Sequence, residues 1–120
     1  QQLNGGLTEM KLVSSALGPG GTSNVWECVS GTMLVHVVGT FDSQTVTMKM
    51  SPTSASGTFN DYAVLNSAGT LTTQAFTANE TKAFLAAGQY FKVTVGGSNT
   101  PSVSVYVSPA NEQSRVEVYD

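Results

Sequence analysis

Two side chains of this sequence could support nucleophilic or acid–base chemistry, and each of them occurs only once. Cys28 is the single cysteine, so no disulfide can form within the chain. A cysteine nucleophile needs a nearby base, and no Cys–His spacing supplies one. We therefore expect Cys28 to be a small buried hydrophobe on the same strand face as Trp26. His36 is the only histidine and lies inside an apolar run. We expect it to be packed or at an interface, where an ordinary pKa near ~6.5 could make that interface acid-sensitive.

The remaining polar residues do not form a pattern typical of a catalytic or metal site. Asp42 and Asp61 fall near turns, but a calcium site needs about six to eight oxygen ligands, and no dense Asp/Asn series is present. No carboxylate pair has a separation that would define a glycosidase. The glycine clusters lack the Lys-Ser/Thr of a phosphate loop, and Asn79–Thr81 fits a turn as well as a glycosylation acceptor. We expect no catalytic residues, no metal, no cofactor and no enzymatic activity.

The composition indicates one domain with a polar but nearly neutral surface. The chain has 120 residues, which is enough for a core without disulfides or metal. Charged residues make up 11%, where about 25% is usual, and the net charge is −3. The five cations are scattered, so the sequence predicts no nucleic-acid partner. No apolar stretch approaches the ~20 residues that span a membrane, and the polar residues 1–8 do not resemble a signal peptide.

Short runs that alternate apolar and polar residues dominate the chain, and glycine, serine, threonine or proline closes each run. Alternation with period two fits strands with one buried and one solvated face. The sequence predicts an all-β fold: a single antiparallel β-sandwich, Ig-like or jelly-roll-like, of about nine short strands. We expect a flexible N-terminal arm at 1–9, the sandwich at 10–108, and a C-terminal arm or final strand at 109–120. The predicted strands are Met10–Leu17, Asn24–Val29, Thr32–Phe41, Gln44–Ser51, Thr58–Leu65, Thr70–Thr77, Ala78–Ala87, Gln89–Val95 and Pro101–Ser108, followed by Arg115–Tyr119.

One run departs from this alternation. Thr32–Phe41 is apolar on both faces, which indicates a central strand or one covered on its outer side by another subunit. Gly39 in this run predicts a bulge or the close approach of a neighbouring strand. Asp42-Ser43 after it predicts a tight hairpin turn, and we interpret the glycine clusters as hairpin turns also. The residues that we expect to contact a partner are Leu34, His36, Val38, Tyr90, Tyr106, Arg115 and Tyr119.

Aromatic residues leave a second function open. Trp26, Tyr62, Tyr90 and Tyr106 are candidates for a platform on which sugars stack, although we expect Trp26 to be in the core. Tyr90 and Tyr106 lie opposite the valine faces of their strands, and exposed tyrosines are also common anchors at protein interfaces. A receptor- or glycan-binding module of a phage tail or a secreted protein is therefore the alternative to a structural protein.

Several segments resemble a known group of proteins. Trp26-Glu27, Val35–Phe41, Thr45–Ser51 and Ala87–Gly97 are similar to the strand units of small β-sandwich virion proteins of tailed phages. The resemblance covers roughly Thr22–Ser108. It implies a capsid decoration or cement protein that binds the major capsid protein on the outer capsid surface and stabilises it. It also implies self-association, as a trimer, with both terminal arms adding strands to, or lying across, a neighbouring subunit.

Overall fold

The computed structural model describes residues 10–86, 88–110 and 114–119. These residues form an all-β fold with no helix, and so contain no helix that could cross a membrane. The expected arm at 1–9 lies outside the described residues. Twelve strands are present in the described part of the chain: β1 Lys11–Leu17, β2 Val25–Ser30, β3 Thr32–Thr40, β4 Val46–Ser51, β5 Asn60–Asp61, β6 Ala63–Leu65, β7 Leu71–Thr73, β8 Ala75–Phe76, β9 Glu80–Leu85, β10 Gln89–Val95, β11 Ser102–Pro109 and β12 Arg115–Tyr119.

Two antiparallel sheets pack against each other. One has four strands in the order β1-β11-β3-β9, and the other has the order β12-β2-β10-β4-β5, with β8 also pairing with β4. Outside the β5–β8 region, consecutive strands alternate between the two sheets. An immunoglobulin-type sandwich instead has the sheets ABED and CFG, in which several consecutive strands, such as A and B, are neighbours in one sheet. The predicted antiparallel sandwich is thus confirmed, and the strand order is that of a jelly roll.

Alternating side chains of both sheets meet in one apolar core. Met33, Val35 and Val37 of β3 are fully buried against the inward residues of the six-stranded sheet, which include Trp26 and Phe91. The Trp26 and Phe91 rings stack with centroids 5.9 Å apart. Trp26 is a core residue, as predicted. The strand predicted at Ala78–Ala87 is present as β9, Glu80–Leu85.

The expectation of about nine strands was too low, because two predicted strands divide. Thr58–Leu65 divides at Tyr62, and Thr70–Thr77 divides at Gln74. At those points the chain bonds to β4: Tyr62 donates its N–H to the carbonyl of Met48, and Gln74 accepts from the N–H of Met48. β8 and β5 therefore share one edge of β4, and the β6–β7 hairpin leaves the sheet between them.

The predicted hairpin at Asp42-Ser43 is wrong, although the tight turn exists. Both residues have positive φ, and the N–H of Gln44 donates to the carbonyl of Phe41. This turn carries the chain from β3 to β4 in the opposite sheet. The glycine-rich turns that follow β1 and β10 also connect strands of different sheets and do not form hairpins. Alternation shows that two strands each have an apolar face, but it does not show whether those faces lie side by side or across the core.

Gly39 permits a close approach between β3 and β11. Its φ is 138°, and a Cβ there would lie 2.3 Å from the carbonyl oxygen of Ser102 and 2.9 Å from the Cα of Val103. The sequence predicted a bulge or a close approach at this position. The structure shows the close approach.

Candidate functional site

The outer face of the four-stranded sheet gathers exposed apolar side chains around His36. We call this surface the His36 face; its residues are Leu12, Leu34, His36, Val38, Thr81, Ala83, Leu85, Ser104, Tyr106 and Ser108. They point outward because the residues between them on each strand, such as Val35 and Val105, are buried in the core. Leu12 is 50% exposed, Val38 40% and Leu85 82%. Exposed apolar residues contiguous across several strands are typical of an interaction surface.

Strand register places the central row of this face. Leu12 pairs with Tyr106, Tyr106 with His36, and His36 with Thr81, so one row crosses all four strands. In the next row Leu34 lies between Ser108 and Ala83. Directly opposed residues of neighbouring strands have Cβ atoms about 4.5–5.5 Å apart, close enough to form one continuous surface.

Two hydroxyl groups hold the His36 ring. Nδ1 lies 2.8 Å from Oγ1 of Thr81, and Nε2 lies 3.2 Å from Oγ of Ser108. Partial burial lowers the pKa of His36 below its usual value of 6.5, because desolvation disfavours the charged ring. A hydroxyl can either donate or accept, so both contacts suit a neutral imidazole.

The His36 face has no Asp, Glu, Lys or Arg in the part of the chain that the structure describes. The four strands contain three such residues, Lys11, Glu80 and Lys82, and the register places all three on the inward side. The two lysines lie on the edge strands and reach the opposite sheet. Nζ of Lys11 donates to the carbonyl of Val116, and Nζ of Lys82 donates to the carbonyl of Ala75, each over 2.8 Å.

The outer face of the six-stranded sheet is charged. Lys49 forms an ion pair with Asp61 at 2.7 Å, and Nζ of Lys92 lies 4.3 Å from the centroid of the Phe59 ring. Glu27 and Glu117 are direct cross-strand partners. The two outer surfaces of the sandwich therefore differ: one is charged, and the other consists of apolar and uncharged polar side chains, with no charged residue among those described.

The residues predicted to contact a partner fall on both surfaces. Leu34, His36, Val38 and Tyr106 lie together on the His36 face. Tyr90, Arg115 and Tyr119 lie on the outer side of the six-stranded sheet. There the Tyr90 and Tyr119 rings are 6.0 Å apart, and the hydroxyl of Tyr119 donates to Oε1 of Glu27 at 2.6 Å. The hydrogen bond to Glu27, together with the negative charge of that carboxylate, raises the pKa of Tyr119 to about 12.

Sequence reasoning missed Leu12 and Leu85 as members of the His36 face. Each alternates with inward residues of an edge strand, Leu12 with Val13 and Leu85 with Phe84. That alternation was visible in the sequence. It did not reveal that β1 and β9 flank β11 and β3.

The four aromatic candidates for a sugar platform are separated in the structure. Trp26 is fully buried. Tyr62 packs edge-on against Phe84 and Phe91, and Tyr90 and Tyr106 lie on opposite outer surfaces. A flat platform that uses all four does not form.

Cys28 and His36 cannot act as a nucleophile–base pair, because Cys28 points into the core and His36 points outward from the other sheet. Sγ of Cys28 lies 3.0 Å from the carbonyl of Ala86. Burial, with a smaller contribution from Glu27, raises the pKa of the thiol to about 11. The described residues contain no group of three or more His, Cys, Asp or Glu side chains that could hold a metal ion.

Comparison of the chain with protein-family models and with curated proteins finds no match.

Proposed function

We propose that this chain is a non-enzymatic structural protein of a virion, a capsid decoration protein that binds the major capsid protein on the outer capsid surface and stabilises it. The observation that carries the proposal is the His36 face: a partly exposed sheet surface of apolar and uncharged polar side chains, without charged residues in the described part of the chain. The resemblance to small sandwich proteins of tailed phages supports the identity of the partner. In this arrangement the charged sheet faces solvent.

The size of the His36 face suits attachment to a repeating lattice. Four strands about 4.8 Å apart and about 20 Å long give a surface on the order of 400 Å². A standard protein interface buries about 800 Å² per partner, so one such contact is weak by itself. Many copies on one lattice, linked by contacts between neighbours, raise the overall avidity without requiring a strong single contact. A trimer of this chain would supply such linkage.

The strand edges favour docking by the face over docking by strand addition. Exposed edges invite pairing with other chains, and inward-pointing charges on an edge strand discourage it. Lys11 and Lys82 occupy such inward positions on β1 and β9. In addition, β1 has register shifts around Ser14, which interrupt a regular edge.

The direct test is recovery of the chain with purified virions. We expect it to co-sediment in a fixed copy number that is a multiple of the number of symmetry-equivalent sites on the capsid. We also expect virions that lack the chain to be less stable to heat. Adding the purified chain back should restore that stability. Absence from virions, or a variable trace amount, would contradict the proposal.

Glycan or receptor binding is the second candidate, and one observation favours it. Tyr90, Tyr119 and Glu27 form a partly exposed aromatic and carboxylate cluster on the charged sheet. Aromatic stacking beside a hydrogen-bonding carboxylate is chemistry that suits a sugar. A glycan array tests this candidate: a specific signal that Tyr90→Ala abolishes and that Tyr106→Ala leaves intact would favour it over capsid docking.

A further inference from the structure

We propose that the His36 face accepts an uncharged, apolar protein surface only while His36 is neutral, so that docking occurs at neutral pH and is released in mild acid. This inference rests on the proposed function, and it adds the chemistry of the partner and a means of regulation.

The position of His36 makes its charge decisive. It occupies the central row of the face, with Tyr106 on one side and Thr81 on the other. A partner that covers Leu12, Leu34 and Val38 must therefore also cover the imidazole. Burying a charged group without a compensating partner costs far more than burying a neutral one.

The face provides nothing that would compensate an imidazolium. The residues that flank the His36 ring come from all four strands. They are Tyr106 and Ser108 of β11, Thr81 and Ala83 of β9, Leu34 and Val38 of β3, and Leu12 of β1 at the end of the same row. Apart from the phenol of Tyr106, none of these side chains can ionise. The hydroxyls that hold the ring carry no charge. No carboxylate is present on the described part of the face.

The sign of the pH effect follows from linkage. The pKa of His36 is already below 6.5 in the free chain because of partial burial. Covering the ring removes more water and lowers the pKa further, so the docked state binds fewer protons than the free state. Affinity is then constant above the free-state pKa and falls as the pH decreases through it, by up to about tenfold per pH unit.

The experiment measures co-sedimentation of the chain with virions that lack it, at pH 7.5 and 5.5, for the wild type and for His36→Gln. Glutamine keeps hydrogen-bonding capacity for Thr81 and Ser108 but does not titrate. We expect the wild type to lose affinity at the lower pH, by at most about tenfold, and the variant to bind equally at both. Wild-type binding that is unchanged or tighter in acid, or an equal loss in the variant, would overturn the inference while leaving the proposed function intact.

A second arm separates the two failures. Retention on a phenyl-derivatised resin tests the face against an uncharged apolar surface without any capsid. If the chain does not bind virions at either pH, the proposed function fails. The inference then stands only if retention on the resin falls in acid for the wild type and stays constant for His36→Gln. Equal retention of both proteins at both pH values would overturn it.

Discussion

Replacing Leu12 by aspartate tests whether the His36 face is the docking surface. Leu12 is 50% exposed on the edge strand β1, and its outward side chain pairs across the sheet with Tyr106. Because half of the side chain is already in water, the change should leave the core intact. We expect at most about 1 kcal/mol of destabilisation, from the poor strand preference of aspartate.

The expected loss of docking follows from the remaining exposed area. Complete burial of a leucine is worth about 1.5–3 kcal/mol, so covering the exposed half contributes roughly 1 kcal/mol. Leu12→Ala should therefore weaken docking about fivefold. Leu12→Asp also places an unpaired carboxylate in an apolar interface, at a cost of several kcal/mol, and should weaken docking by roughly 100-fold or more.

The assay is co-sedimentation with virions that lack the chain, at pH 7.5, with thermal unfolding of each variant measured in parallel. Leu65→Asp is the matched control, since Leu65 is 67% exposed but lies on the β6–β7 hairpin. We expect the control to bind like the wild type. Equal binding by Leu12→Asp, or an equal loss in Leu65→Asp, would refute the assignment of docking to the His36 face.

Three further predictions concern the fold. Gly39→Ala should destabilise the protein by about 3 kcal/mol or more, because φ is 138° and the added Cβ would clash with the carbonyl oxygen of Ser102. Gly97→Ala, with open space around it, should change the unfolding midpoint little. Cys28, with a buried thiol of pKa about 11, should resist a thiol reagent at pH 8 in the native state and react fully in urea; rapid native labelling would contradict its burial. Hydrogen bonds from Thr100 lower the pKa of Asp42, so their stabilisation should be present at neutral pH and lost below about 3.8. Asp42→Asn should remove that dependence in acid unfolding curves.

The sequence was sufficient to predict the sandwich and the direction of most side chains. Alternation in Gln89–Val95 identified Phe91, Val93 and Val95 as the buried residues, because a strand with one buried face must repeat every two residues. In Thr32–Phe41 it predicted two apolar faces without showing which of them is buried in the core. It also identified Leu34, His36 and Val38 as a second apolar surface. Sheet membership was not predictable, since alternation does not show which strands are neighbours. For that reason Leu12 was missed, and Tyr90 was grouped with residues that lie on the opposite surface.

The topology shows that the uncharged His36 face is assembled from separate segments of the chain. The strands of the four-stranded sheet come from separate segments of the chain. The segments between and after them form the other sheet and contain Glu27, Lys49, Lys92 and Glu117 on their outer side. One stretch of low charge therefore cannot account for the His36 face. Charge is absent from the outward positions of β1, β3, β9 and β11, while the inward positions of the two edge strands contain lysine. A low overall charge content of 11% does not by itself produce this separation. Docking of an apolar partner on the face accounts for the separation, because each charge placed there would be buried without compensation.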